Sequence, residues 1–246
     1  MFATPARLDH LLVIMRESSE ARPPLLAAYT VPFLVFMAGL ALVEAIRWLS
    51  GDTDSFWLKR PEYWVYPLQT VACGAAVIFY WKHYDFSGRG GWFLAVIGGA
   101  LALGVWLSPQ ILFGAAPRLE GFDPTVFSQS PELFWLTVLG RFARLVIIVP
   151  IIEEIFWRGF LMRYLIREDF WNVKLGTYAP LAFFGVAGVF MLAHSMADWP
   201  AAFLTGLIFN AIMLRTKNIP ACILAHALTN LGLGLYIMRT GQWGFW

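Results

Sequence analysis

Trp92–Phe113, WFLAVIGGALALGVWLSPQILF, runs its whole length without an Asp, Glu, Lys or Arg. A helix rises about 1.5 Å per residue, so roughly 20 apolar residues cross a bilayer core of about 30 Å. This run has that length, and so do its neighbours. Tyr63 to Trp81, Tyr178 to Ala197 and Ile219 to Met238 are also free of charge, Leu25 to Leu49 is broken only by Glu44 and Arg47, and Trp199 to Leu214 is a shorter run. One longer apolar stretch, Leu133 to Ile166, carries Arg141, Arg144, Glu153, Glu154, Arg158 and Arg163. Together these predict an all-α, polytopic transmembrane helix bundle of seven spans, or eight if the long stretch breaks at Pro150. That proline lacks the N–H for the carbonyl of Val146 and is expected to kink the helix. A transmembrane β-barrel is excluded, because its strands alternate apolar and polar residues and these runs do not.

The composition agrees. Of 246 residues 59% are hydrophobic and 14% charged, against about 25% charged in soluble domains. A soluble enzyme, a disordered chain and a disulfide scaffold are all excluded on that balance. A net charge of +2 without a basic stripe gives no reason to expect nucleic acid. Cys73 and Cys222 fall inside predicted spans and read as small buried hydrophobes. Residues 1–24 mix charges with a short apolar patch, Leu11 to Met15, and read as an interfacial segment ended by Pro23-Pro24, not as a cleavable leader. Residues 25–130 then supply N-terminal transmembrane helices and 131–246 a core that carries the polar groups. With seven spans, Arg7, Arg16, Arg22, Lys82, Arg89, Arg163, Arg167, Lys174, Arg215 and Lys217 share the N-terminal side. Arg47, Lys59, Arg60, Arg118 and Arg239 lie opposite. That imbalance puts the N-terminus in the cytoplasm.

Ionisable groups at membrane depth cost about 2.5–3.5 kcal/mol each on insertion scales, so they mark function. Three groups qualify. Glu153-Glu154 is followed by Arg158, with Glu154 and Arg158 facing each other at i,i+4 and Glu153 turned about 100° away. His194 follows Phe190 by four residues, and His226 and Asn230 share one face of the last span. Ser195 adjoins His194, yet neighbouring side chains on a helix do not face each other. No His-Glu-x-x-His motif is present. An acid, two imidazoles and an amide suit activation of a water by carboxylate and imidazole, with the remaining donors stabilising an oxyanion. Arg141 and Arg144 read as groups that snorkel to lipid phosphates.

Glu153-Glu154-x-x-x-Arg158, Phe190-x-x-x-His194 and His226-x-x-x-Asn230, in that order and each in an apolar span, resemble the three motifs of the type II CAAX prenyl endopeptidases and the related CPBP (Abi) intramembrane proteases. The resemblance covers about residues 133–238. It implies a glutamate-type intramembrane protease in which Glu153 and His194 activate water while His226 and Asn230 form the oxyanion hole. Glu154 and Arg158 would orient Glu153 and tie helices together, and Phe190 would pack behind His194. It implies no cofactor, with zinc on two His and two Glu as the weaker alternative. The implied substrate is the C-terminal peptide of a membrane-anchored or lipidated protein, and the implied setting is a bacterial inner membrane. Within the family, the exosortase-associated and myxosortase types point to C-terminal tail sorting. Two other readings remain: a proton- or solute-coupled carrier using the Glu/His/Arg cluster, and a non-catalytic scaffold or bacteriocin-immunity protein of the same fold.

Overall fold

The computed structural model describes residues 22–246. The predicted interfacial segment therefore lies almost wholly outside the described residues, and Pro23-Pro24 stand in the first turn of a helix, where a proline's missing N–H has no partner to lose. Seven principal helices follow one another: α1 (Arg22–Ser50), α2 (Glu62–Phe79), α3 (Trp92–Phe113), α4 (Pro131–Tyr164), α5 (Pro180–Leu192), α6 (Trp199–Thr216) and α7 (Ile219–Thr240). Among the described residues there is no strand. The chain is an integral, multi-pass membrane protein built as an all-α bundle.

Five helices, α1, α3, α4, α6 and α7, are long and apolar enough to cross a membrane. By that measure two of the seven principal helices, α2 and α5, fall short. The run Tyr178 to Ala197 is charge-free throughout, but Pro180 opens its helix and the helix stops at Leu192. Its 13 residues reach about 20 Å, short of a bilayer core. α4 continues through Pro150 without a break. Its winding changes instead. Ala143–Ile148 and Ile155–Leu161 adopt the wider π-helical turn, in which each N–H reaches back five residues.

Helix α4 is the axis of the bundle. α1 and α2 pack on each other and on α4, and α5 and α7 also contact it. α3 lies along α7 and α6 along α5. Glycines permit the closest of these approaches. A Cβ on Gly99 of α3 would stand 2.7 Å from the Ala225 carbonyl oxygen of α7, and one on Gly206 of α6 would stand 3.0 Å from the Ala187 Cα of α5. Large apolar side chains cover the outside, including Trp48, Phe79, Phe93 and Phe113 at helix ends. This is the disposition of aromatic residues at the edges of a bilayer. Cys73 and Cys222 are buried and free, as read from the sequence.

Candidate active site

Six charged side chains of α4, Arg141, Arg144, Glu153, Glu154, Arg158 and Arg163, are buried in this apolar core. Glu154 and Arg158 are wholly buried, with Arg158 Nη1 donating to Glu154 Oε1 at 3.0 Å. The guanidinium then reaches α6, where Nε donates to Asn210 Oδ1 at 3.0 Å and Nη2 to the Gly206 carbonyl at 3.2 Å. Asn210 passes the link on by donating to the Phe183 carbonyl of α5 at 2.7 Å. The predicted i,i+4 pair thus ties three helices together. Asn210 was missed in the sequence, although it is the lone amide within the charge-free run Trp199 to Leu214.

The two adjacent glutamates do point apart. Glu154 Oε1 also accepts from His226 Nδ1 of α7 at 2.9 Å. Glu153 instead faces a cavity of about 350 Å³, and its Oε2 accepts from the Trp157 indole at 3.2 Å. Glu154 holds His226, and Trp157, one turn further along the same helix face, holds Glu153. Its i,i+4 position was the signal that could have identified it.

His194 lies two residues beyond the end of α5, not within a span. Its backbone carbonyl accepts from the Trp199 indole at 3.2 Å, and the Ser195 hydroxyl donates to Asp198 at 2.6 Å, so the turn into α6 is fastened on both sides of it. His194 Nδ1 is 2.8 Å from the Phe190 carbonyl. A carbonyl only accepts, so Nδ1 carries the proton and a neutral ring keeps its lone pair on Nε2. The Phe190 ring lies 4.7 Å from His194, and Trp106 of α3 packs tilted at 5.6 Å against the same imidazole.

The position of Asn230 follows from Pro150. In the π-wound stretch Val149 N–H bonds to Arg144 rather than to Leu145. The next residue able to reach the Leu145 carbonyl in this winding is Pro150, which has no N–H. That carbonyl is left without a backbone donor, and Asn230 Nδ2 of α7 supplies one at 2.8 Å. One amide hydrogen of Asn230 is committed to this bond and the other is not.

Glu153, His194, His226 and Asn230 all line the one cavity. They arrive there from α4, the turn after α5, and α7. Among the described residues, no group of three His, Cys, Asp or Glu side chains is spaced to hold a metal ion.

Arg141 and Arg144 overturn the snorkelling expectation. Both are buried and both line the cavity. Arg144 Nε donates to Gln69 Oε1 of α2 at 3.0 Å, with the guanidinium 4.1 Å from the Tyr66 ring and 5.0 Å from Phe36. Arg141 stacks 4.6 Å from Phe122 and 5.2 Å from Tyr66. Aromatic faces from α1, α2 and the α3–α4 connection therefore hold them inside the bundle, in place of lipid phosphates.

Residues 132–232 match the family described as type II CAAX prenyl endopeptidase Rce1-like. The match spans all but the ends of α4 and α7 and includes every side chain of the converging cluster. No curated protein and no solved structure matches the chain.

Proposed function

We propose that this chain, whose residues 132–232 match the Rce1-like type II CAAX prenyl endopeptidase family, hydrolyses a peptide bond near the C-terminus of a membrane-anchored or lipidated protein with a water activated by Glu153 and His194. The observation that carries this reading is the convergence of Glu153, His194, His226 and Asn230 on one cavity from three separate elements. A water held between the Glu153 carboxylate and His194 Nε2 attacks the scissile carbonyl carbon and gives a proton to Glu153. The carbonyl π pair moves to oxygen, where the uncommitted amide hydrogen of Asn230 and the Nε2–H of His226 stabilise the charge. His226 donates from Nε2 in its doubly protonated form, with Nδ1–H held by the Glu154 carboxylate. On collapse the C–N bond breaks, the proton on Glu153 passes to the leaving nitrogen, and the products are a carboxylic acid and an amine. No covalent enzyme intermediate is needed.

The test is incubation of the purified wild type and Glu153→Gln with membrane-anchored C-terminal tails, followed by mass spectrometry. The wild type is expected to release a C-terminal fragment. Glu153→Gln is expected to remain folded and to lose about 10²- to 10⁴-fold in rate. Equal cleavage by both proteins overturns the assignment of the acid, and cleavage by neither overturns the hydrolytic reading.

A further inference from the structure

The cavity has a second polar pole that water activation does not use. Arg141 and Arg144 lie one turn apart on α4, are 6% and 4% exposed, and line the same space as Glu153. Nε and Nη1 of Arg141 and Nη2 of Arg144 are buried without a hydrogen-bond partner. An unpaired buried donor is costly, more so on a cation. The nearby carboxylates are engaged elsewhere. Glu62 is 2.8 Å from Arg47 and 3.6 Å from Arg60, Glu154 is bound to Arg158 and His226, and Glu153 holds the Trp157 indole. Aromatic rings fix both guanidinium groups, so their forks are already oriented before a ligand arrives. The space between this pole and Glu153 is walled by apolar side chains, among them Phe36, Leu145, Val149 and Leu233.

From this arrangement we infer that Arg141 and Arg144 form a carboxylate-binding subsite that captures the free C-terminal carboxylate of a short apolar peptide and thereby sets its register against Glu153. The inference rests on the hydrolytic reading of the same cavity. Arg144 precedes Glu153 by nine residues, about 13 Å of helix axis, which about four residues of extended chain span. A bidentate guanidinium–carboxylate pair is the geometry these forks favour. A lipid phosphate is the disfavoured occupant: Arg141 stands about 15 Å along the axis from Pro131, at 1.5 Å per residue, and is enclosed by protein.

The test compares an N-dansylated apolar pentapeptide ending in a free carboxylate with its C-terminal carboxamide, both titrated into detergent-solubilised Glu153→Gln protein. The acid is expected to bind at least about tenfold more tightly than the amide. Arg141→Gln and Arg144→Gln should each shrink that ratio and together abolish it, while Arg144→Lys retains part of it. In the otherwise wild-type enzyme Arg144→Gln should lower kcat/KM for the acid towards the value for the amide, because both binding and register depend on the carboxylate contact. The acid-against-amide comparison needs no arginine variant, so it stands even if these substitutions unfold the protein. Equal affinity for acid and amide overturns the proposal, as does a preference that survives the double substitution. Displacement of both peptides by phosphatidylglycerol, lost in the double variant, assigns the site to a headgroup and also overturns it. Acid preference without cleavage by the wild type upholds the subsite and removes the hydrolytic reading. Cleavage without acid preference does the reverse.

Discussion

Arg158 shows how one buried cation can fasten helices beside the proposed reaction centre. Its side chain has no solvent exposure, and each of its three nitrogens donates to a different acceptor on α4 or α6. Arg158→Ala would leave Glu154 charged and Asn210 half-satisfied, at a cost of about 3–5 kcal/mol. The expected outcome is a lower unfolding temperature and a lower yield of folded protein in detergent, measured beside Glu153→Gln, which should retain both. Trp157→Phe probes a finer point. The aromatic packing against Phe33 and Phe190 survives, but the N–H that holds Glu153 is lost. Peptide hydrolysis should fall by about tenfold or more with the fold intact, as rates and circular dichroism would show.

At the scale of elements, α4 decides the site because it departs from ordinary winding where function is needed. Pro150 cannot bond backward, the turn before it widens, and the freed Leu145 carbonyl is taken by Asn230 across the α4–α7 interface. Asn230→Ala should therefore cost stability as well as activity, by about 1–3 kcal/mol for the orphaned carbonyl. Pro150→Ala restores an N–H at the position that the π winding needs. Combined with Asn230→Ala, it should recover part of the lost unfolding temperature without recovering peptide cleavage. Strict additivity of the two substitutions in a double-mutant cycle would argue against the coupling. Helix α5 carries the complementary lesson. Its residues are apolar enough for a span, yet it ends at Leu192, and that early end releases His194 from helical geometry so that its ring can turn to the cavity.

For the whole molecule, the bundle depends on backbones coming close where side chains would hold them apart. Gly99→Val is expected to push α3 from α7, lowering both the unfolding temperature and the rate, because Trp106 of α3 stacks on His194. Gly104→Ala, at a position with nothing within 4 Å, should change neither. Thermal unfolding in detergent, paired with peptide cleavage, separates the two cases.

The low share of charge and the charge-free runs determined by themselves that the chain is helical and lives in lipid, since no other backbone arrangement with these runs satisfies its hydrogen bonds there. The sequence likewise singled out Glu153, Glu154, Arg158, His194, His226 and Asn230, because polarity at depth is expensive and therefore sparse. Local i,i+4 spacing accounts for the Glu154–Arg158 and Glu153–Trp157 contacts. That Glu154 serves His226, that Asn230 reaches Leu145, and that Arg141 and Arg144 face inward depend on contacts between residues far apart in the chain or on which face of a helix its neighbours cover. Periodicity gives a side chain's direction around its own axis. It does not say which helix stands opposite, and in a bundle of nearly uniform apolar faces that choice is made by a few glycines, aromatic rings and buried hydrogen bonds.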